Sequence, residues 1–289
     1  MKYIILFLCI SLASAASKTP FLNLELSQEK WIGLGFYLAP YPVAKEPFYY
    51  NQCYSDPKLF GHLPYQPYKN TLLAAVKWEK ELLMLKSPEG QQVYCKPDSN
   101  QIIPELVFYK DLVEAKKQYS NRTVWALVDR FKVFNANGNH TDYKLEKLAE
   151  LQVTRIELAP VSNNKSIRIF VKNSSSMEGF FDCSYTHVNQ TRPWVNFHQY
   201  VMLENPVTKL GITREQLQMI RAGKVKPGMS MELVQMSLGK PEKAIKNSQY
   251  SYLTYRSQSG RQTEYVFFKN KLIEIQKDSQ DEFPPMEPY

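Results

Sequence analysis

Hydrophobic and polar positions alternate with a period of two through much of the middle of the chain. Ile167, Ile169 and Val171 alternate with Arg168, Phe170 and Lys172, the pattern of a strand with one face buried. The runs Thr123–Val128, Phe131–Phe134, Leu151–Leu158 and Met177–Asp182 are also apolar and β-prone. Asn137-Gly138 between two of them is a hairpin signal. Glu81-Leu-Leu-Met-Leu-Lys and Gln91-Gln-Val-Tyr-Cys-Lys flank Ser87-Pro-Glu-Gly90 and predict another hairpin. Asp111 to Gln118 carries helix formers, acidic at its start and basic at its end, as the helix dipole favours. Before these, residues 16 to about 70 are rich in proline and tyrosine. They read as an irregular arm packed on a sheet, or as an aromatic binding surface.

The pattern changes at the C-terminal end. Thr213-Arg-Glu-Gln216 is a capping box opening a short helix that stops at Gly223. Ser230 caps a second helix with Met231, Val234 and Leu238 on one stripe, ended by Gly239 and Pro241. Three strands follow, Tyr250–Tyr255, Glu264–Lys269 and Leu272–Gln276.

Gly228, Met229, Val234, Leu238, Gly239 and Pro241, followed by Phe267 and Phe268, form a string that resembles the SmpA/BamE family of small bacterial envelope domains. The resemblance covers residues about 206–277 and implies an α+β two-layer unit used for protein or lipid contact. It brings no catalytic residues. The short strands between 121 and 205 more loosely resemble a bacterial Src-homology-3-like barrel, with Trp125, Tyr143, Phe170 and Tyr185 as groove candidates. The expected fold class is therefore α+β, mainly β. A leader (1–15) precedes an aromatic-rich α/β region (16–120), a small β-barrel-like domain (121–205), a two-helix, three-strand SmpA/BamE-like domain (206–277) and a disordered acidic tail (278–289).

Composition agrees with a folded chain: of 289 residues, 44% are hydrophobic and 22% charged. Lys2, the apolar run Ile4–Leu12 and Ala13-Ser14-Ala15 read as a cleaved secretory signal, too short to span a bilayer. Export permits a disulfide, and Cys53 with Cys95 is the expected pair, leaving Cys183 as a buried strand cysteine. Asn121, Asn139, Asn164, Asn173 and Asn189 head N-x-[ST] triplets, which are glycan acceptors or ordinary turn chemistry.

The net charge of +8 is unevenly spread. Residues 206–277 alone hold 13 Lys+Arg against five Glu, while the tail holds four acids. Lys224, Lys226, Lys240, Lys243 and Lys246 are the candidate basic face, for an envelope protein, anionic lipid or lipopolysaccharide. The alternative is a plain solvated face. Export argues against a nucleic-acid partner, and the mature chain has no transmembrane stretch.

Neither a cofactor nor a metal is expected. The four histidines stand far apart, no C-x-x-C is present, and Cys183 and His187 are too distant along a strand to form a nucleophile–base pair. The expected function is non-catalytic: an exported envelope binding module, in the periplasm or at the outer membrane, serving assembly or maintenance. The alternatives are a secreted enzyme inhibitor of β-lactamase-inhibitor-like topology, docking through Tyr250, Tyr252 and Tyr255, and a cell-wall hydrolase with its site in residues 16–120.

Overall fold

The computed structural model describes residues 28–191, 193–257 and 259–277. The leader and the acidic tail expected at 1–15 and 278–289 lie outside the described residues.

The first sheet contains β1 (Gly35–Leu38), β2 (Tyr49–Tyr54), β3 (His62–Pro64), β4 (Leu72–Glu79), β5 (Leu82–Lys86), β6 (Gln92–Cys95) and β7 (Leu106–Phe108), with the single turn α1 (Tyr65–Tyr68) after β3. Strand alternation builds its core: Leu73 and Ala75 of β4 point in while Leu72 and Ala74 point out. Trp31, Phe36, Tyr50, Leu63 and Phe108 complete it. Cys53 of β2 and Cys95 of β6 are register partners and form the expected disulfide.

The helix α2 (Tyr109–Tyr119) leads on to β8 (Thr123–Ala126), β9 (Arg130–Phe134), β10 (His140–Lys144), β11 (Glu150–Leu158), β12 (Ile167–Asn173), β13 (Glu178–Cys183) and β14 (Val201–Met202). These seven strands form the second sheet. Ala115 and Tyr119 of α2 pack into its core with Val153, Ile167, Ile169, Val171 and Phe181.

The two sheets share one topology. The first runs β3-β2-β6-β5-β4-β1-β7 and the second β10-β9-β13-β12-β11-β8-β14, both antiparallel throughout. Numbered within its own sheet, each follows three-two-six-five-four-one-seven. Agreement extends to detail. The fourth strand has a register shift in both, between Ala75 and Lys77 and between Val153 and Arg155. The sixth strand ends in both on a buried cysteine, Cys95 or Cys183.

The expected small barrel is therefore replaced by an open sheet. β10 and β14 are its opposite edges, because β8 recruits β14 on one side while β9 recruits β10 on the other. Alternation located the strands, but alternation carries no information about which edges meet. Gly179 marks a close approach inside this sheet: a Cβ there would fall 1.4 Å from the Phe131 ring.

The C-terminal expectation is corrected as well. Residues 206–277 do not form the two-helix, three-strand SmpA/BamE-like unit. They are built on a four-stranded antiparallel sheet, β15 (Lys243–Lys246), β16 (Tyr250–Arg256), β17 (Gln262–Phe268) and β18 (Lys271–Lys277), in that order. Three short helices precede it, α3 (Pro206–Leu210), α4 (Arg214–Arg221) and α5 (Met231–Leu238). The molecule as a whole is antiparallel β with short helices, rather than α+β. The extra strand has a simple cause. Gly239, at φ +88°, and Pro241 stop α5, and the polar stretch after them satisfies its backbone groups against β16. All four residues of β15 are exposed, and β15 is one of the sheet's two edges.

The residues that carried the resemblance have local roles here. Met229, Val234 and Phe267 are buried, with Leu238 packed against the same core. The Gly228 amide donates to Leu272 O at 2.7 Å, and Gly239 O accepts from the Tyr255 hydroxyl at 3.0 Å. Phe268 packs against Tyr250 with tilted rings 5.3 Å apart, and Pro241 is half-buried after the helix.

Candidate functional site: a cleft between the two seven-stranded sheets

The two sheets meet on a small apolar contact of Ala39, Val107 and Leu158, flanked by Tyr37, Leu112 and Val161. The Val161 amide donates to Pro40 O at 2.8 Å across the junction. A cleft of about 910 Å³ opens over this contact. One wall comes from the first sheet's side, residues 40–45, Lys69 and Asn70. The other comes from β11, β12 and the β9–β10 hairpin, and α2 contributes Leu112 and Lys116. A proline-rich segment cannot join a central strand, which leaves residues 40–45 free to lie over the junction. Val43 of that segment reaches to 4.0 Å from where a Cβ on Gly138 would stand, so loop and hairpin approach each other at the rim.

The outer face of the second sheet supplies the chemistry. Arg155 lies over the Phe170 ring at 3.7 Å, and Arg168 over the Phe180 ring at 3.9 Å. Phe134 stacks on Phe180 at 4.8 Å and remains 45% exposed, presenting its ring to the cleft. Arg168 donates to both oxygens of Asp182, at 2.6 and 2.9 Å, and Arg155 pairs with Glu157 at 3.1 Å. Both acids of the lining are thus held by arginine. Lys69 is likewise paired with Glu46. Lys45, Lys116 and Lys165 also line the cleft, and none has an ion-pair partner among the described residues. The cleft therefore has surplus positive charge beside exposed aromatic surface. Burial, then Lys132 and Arg168, depress the basicity of His140 at the rim, consistent with a positive local field.

Behind the first wall lies a buried polar cluster. Glu105 accepts from the Tyr41 hydroxyl at 2.5 Å and from the Asn51 and Gln52 amides at 2.6 and 3.0 Å. Burial pushes the pKa of the Glu105 carboxyl up from its ordinary value and weakens the acidity of Tyr41, whose bond to Glu105 adds to the effect. These bonds fix residues 40–45 against β2.

The structure distributes the sequence-predicted site residues elsewhere. Lys224 follows α4, and its carbonyl accepts from the Ser237 hydroxyl at 2.8 Å. Lys226 is paired with Glu215, and Lys240 is exposed after α5. Lys243 and Lys246 stand three apart on β15, so the pleat sends them to opposite faces. Of the four groove aromatics, Phe170 lines the cleft. Tyr143 packs against the second core, and Tyr185 is buried with its hydroxyl on Gln118 at 2.7 Å.

Cys183 is buried and free, and burial pushes its thiol well above the ordinary range, as expected of a structural cysteine. Among the N-x-[ST] asparagines, Asn121 and Asn139 are exposed, whereas Asn189 is buried between the two sheets. Its side chain accepts from the Ile103 amide at 2.8 Å and donates to the Ile103 and Leu106 carbonyls at 2.7 and 2.6 Å.

Sequence reasoning missed Lys45, Lys116, Arg155 and Lys165, because four different elements bring them to one place. One signal was available: Phe170 falls on the polar face of β12, between Arg168 and Lys172. An aromatic residue among cations on a solvent-side face marks a surface of mixed character.

Among the described residues no group of three or more His, Cys, Asp or Glu side chains could hold a metal, and no helix is long and apolar enough to cross a membrane. No family model matches the chain, and no curated protein matches it.

Proposed function

We propose that the chain is an exported, non-catalytic binding protein of the cell envelope that takes its ligand in the cleft between the two seven-stranded sheets. The observation that carries this reading is the cleft itself. It has the size of a small-molecule site, walls from both sheets and an exposed phenylalanine, Phe134, at its opening. The Cys53–Cys95 disulfide supports export to an oxidising compartment, in keeping with the leader-like residues 1–15. A binding role suits the lining, where the two carboxylates, Glu157 and Asp182, are tied to arginines.

Photo-crosslinking tests the reading. A benzophenone amino acid replaces Phe134 in the cleft or Tyr252 on the C-terminal sheet, and the full chain is irradiated in its native envelope extract. Adducts at position 134 and not at 252 are expected. Adducts at 252 with none at 134 would move the site to the C-terminal sheet and end this proposal.

A further inference from the structure

Resting on that reading, the lining also specifies the class of ligand. We propose that the cleft binds a small amphiphilic anion, with a flat apolar body lying on Phe134 and Val43 and its anionic group among Lys45, Lys116 and Lys165.

Three observations converge on this chemistry. The first is charge balance. Six cationic side chains line the cleft, Lys45, Lys69, Lys116, Arg155, Lys165 and Arg168, against the two carboxylates Glu157 and Asp182. Arg155 and Arg168 are committed to those carboxylates, and Lys69 to Glu46. Three lysines remain for an outside anion. A concave site between low-dielectric walls focuses such a field, so the same charges act more strongly than on a convex surface.

The second observation is where the committed arginines sit. Each guanidinium covers a phenylalanine ring while holding a carboxylate in place. Arg168 and Asp182 are nearly buried and fix that part of the wall, and an incoming anion need not first displace an acid from the lysines.

The third is the exposed apolar surface at the same opening. Phe134 is 45% and Val43 73% exposed, with Tyr37, Leu112 and Val161 deeper in. An inorganic anion would leave that surface wet, and a neutral hydrophobe would leave the lysines unpaired. A molecule with both parts matches both features.

The test uses the full chain and two fluorescent probes of similar ring size, anilinonaphthalene sulfonate and neutral N-phenyl-1-naphthylamine. The anionic probe should bind about tenfold more tightly, a difference of about 1.4 kcal/mol, and its advantage should shrink as salt is raised. The triple variant Lys45→Gln, Lys116→Gln, Lys165→Gln should erase that advantage and leave the neutral probe unchanged. Phe134→Ser should weaken both probes. Val43→Ser, at an exposed loop position, should do the same and covers the case in which loss of Phe134 disturbs the sheet. If both probes bind equally and only the apolar substitutions matter, the charge assignment is overturned while the cleft stands as a binding site. If none of these substitutions changes either probe, the cleft reading itself is overturned.

Discussion

The two seven-stranded sheets follow one strand order and even shift register on the same strand, yet they are held together differently. The first closes its sixth strand onto its second with the Cys53–Cys95 bond. In the second, Cys183 occupies the corresponding strand end, but no cysteine stands in β9 to meet it. The pairs next to these cysteines differ too. Met84 faces Tyr94 in the first sheet, and Arg168 faces Asp182 in the second. The covalent bond is thus a reinforcement of this topology and not a condition for it. What both sheets share is the in–out pattern of the fourth strand: Leu73 and Ala75 in one, Leu151 and Val153 in the other, each followed by two exposed residues.

The largest expected effect breaks the asymmetry. The disulfide closes a chain segment of 42 residues, and its loss in Cys53→Ser/Cys95→Ser should destabilise the first sheet by about 4 kcal/mol through loop-closure entropy. Hydrogen exchange resolved by residue should show faster opening of β2 and β6, with β12 and β13 unchanged. Equal acceleration in both sheets would mean that the two cores unfold as one.

A smaller effect, about 3 kcal/mol in urea unfolding, is expected for Arg168→Met alone, because it strands the nearly buried Asp182 carboxylate. The double variant Arg168→Met/Asp182→Tyr installs the pair that the first sheet uses and should recover most of that loss. Failure of the double variant to improve on the single one would show that the two positions are not interchangeable between the sheets.

The smallest effect in the native chain is its pH dependence, because two groups beside the second core oppose each other. Burial pushes the Asp111 carboxyl up from 3.8 to about 7. Between those values the unfolded chain releases a proton that the folded chain keeps, so stability falls as pH rises from about 4 to about 7. Burial pulls His198 down from 6.5 to about 4. In that window the unfolded chain gains a proton on acidification that the folded chain does not, so stability falls as pH drops from about 6.5 to about 4. Asp111→Asn removes the first slope only, and stability should then rise with pH across the window. A thermal-denaturation series from pH 4 to pH 7 with an unchanged profile would exclude Asp111 as a titrating group.

The local signals of the sequence were legible and their assembly was not. Thr213 and Gln216 form the capping box at the start of α4, and Ser230 caps α5 by accepting from the Leu233 amide. Gly138 turns the β9–β10 hairpin with positive φ, and α2 spans the stretch of helix formers. These features depend on residues a few positions apart. The shared strand order depends on pairings such as β1 with β7 and β8 with β14, across long separations and with little similarity in sequence. The barrel and the SmpA/BamE-like layout went wrong at that level. The cleft was hidden for the same reason, since its three surplus lysines come from a loop before β2, from α2 and from the approach to β12.

One element first read as part of a basic face has a different consequence. β15 leaves one row of backbone donors and acceptors uncovered at the rim of the C-terminal sheet, and such a rim is a template for another strand. Its sequence, Lys-Ala-Ile-Lys, places a lysine near each end and on either face, so two copies meeting rim to rim would set like charges against each other. The lysines expected to attract a partner thereby oppose rim-to-rim pairing of identical molecules. Neutralising both, as in Lys243→Gln/Lys246→Gln, should remove that repulsion and raise self-association in sedimentation velocity.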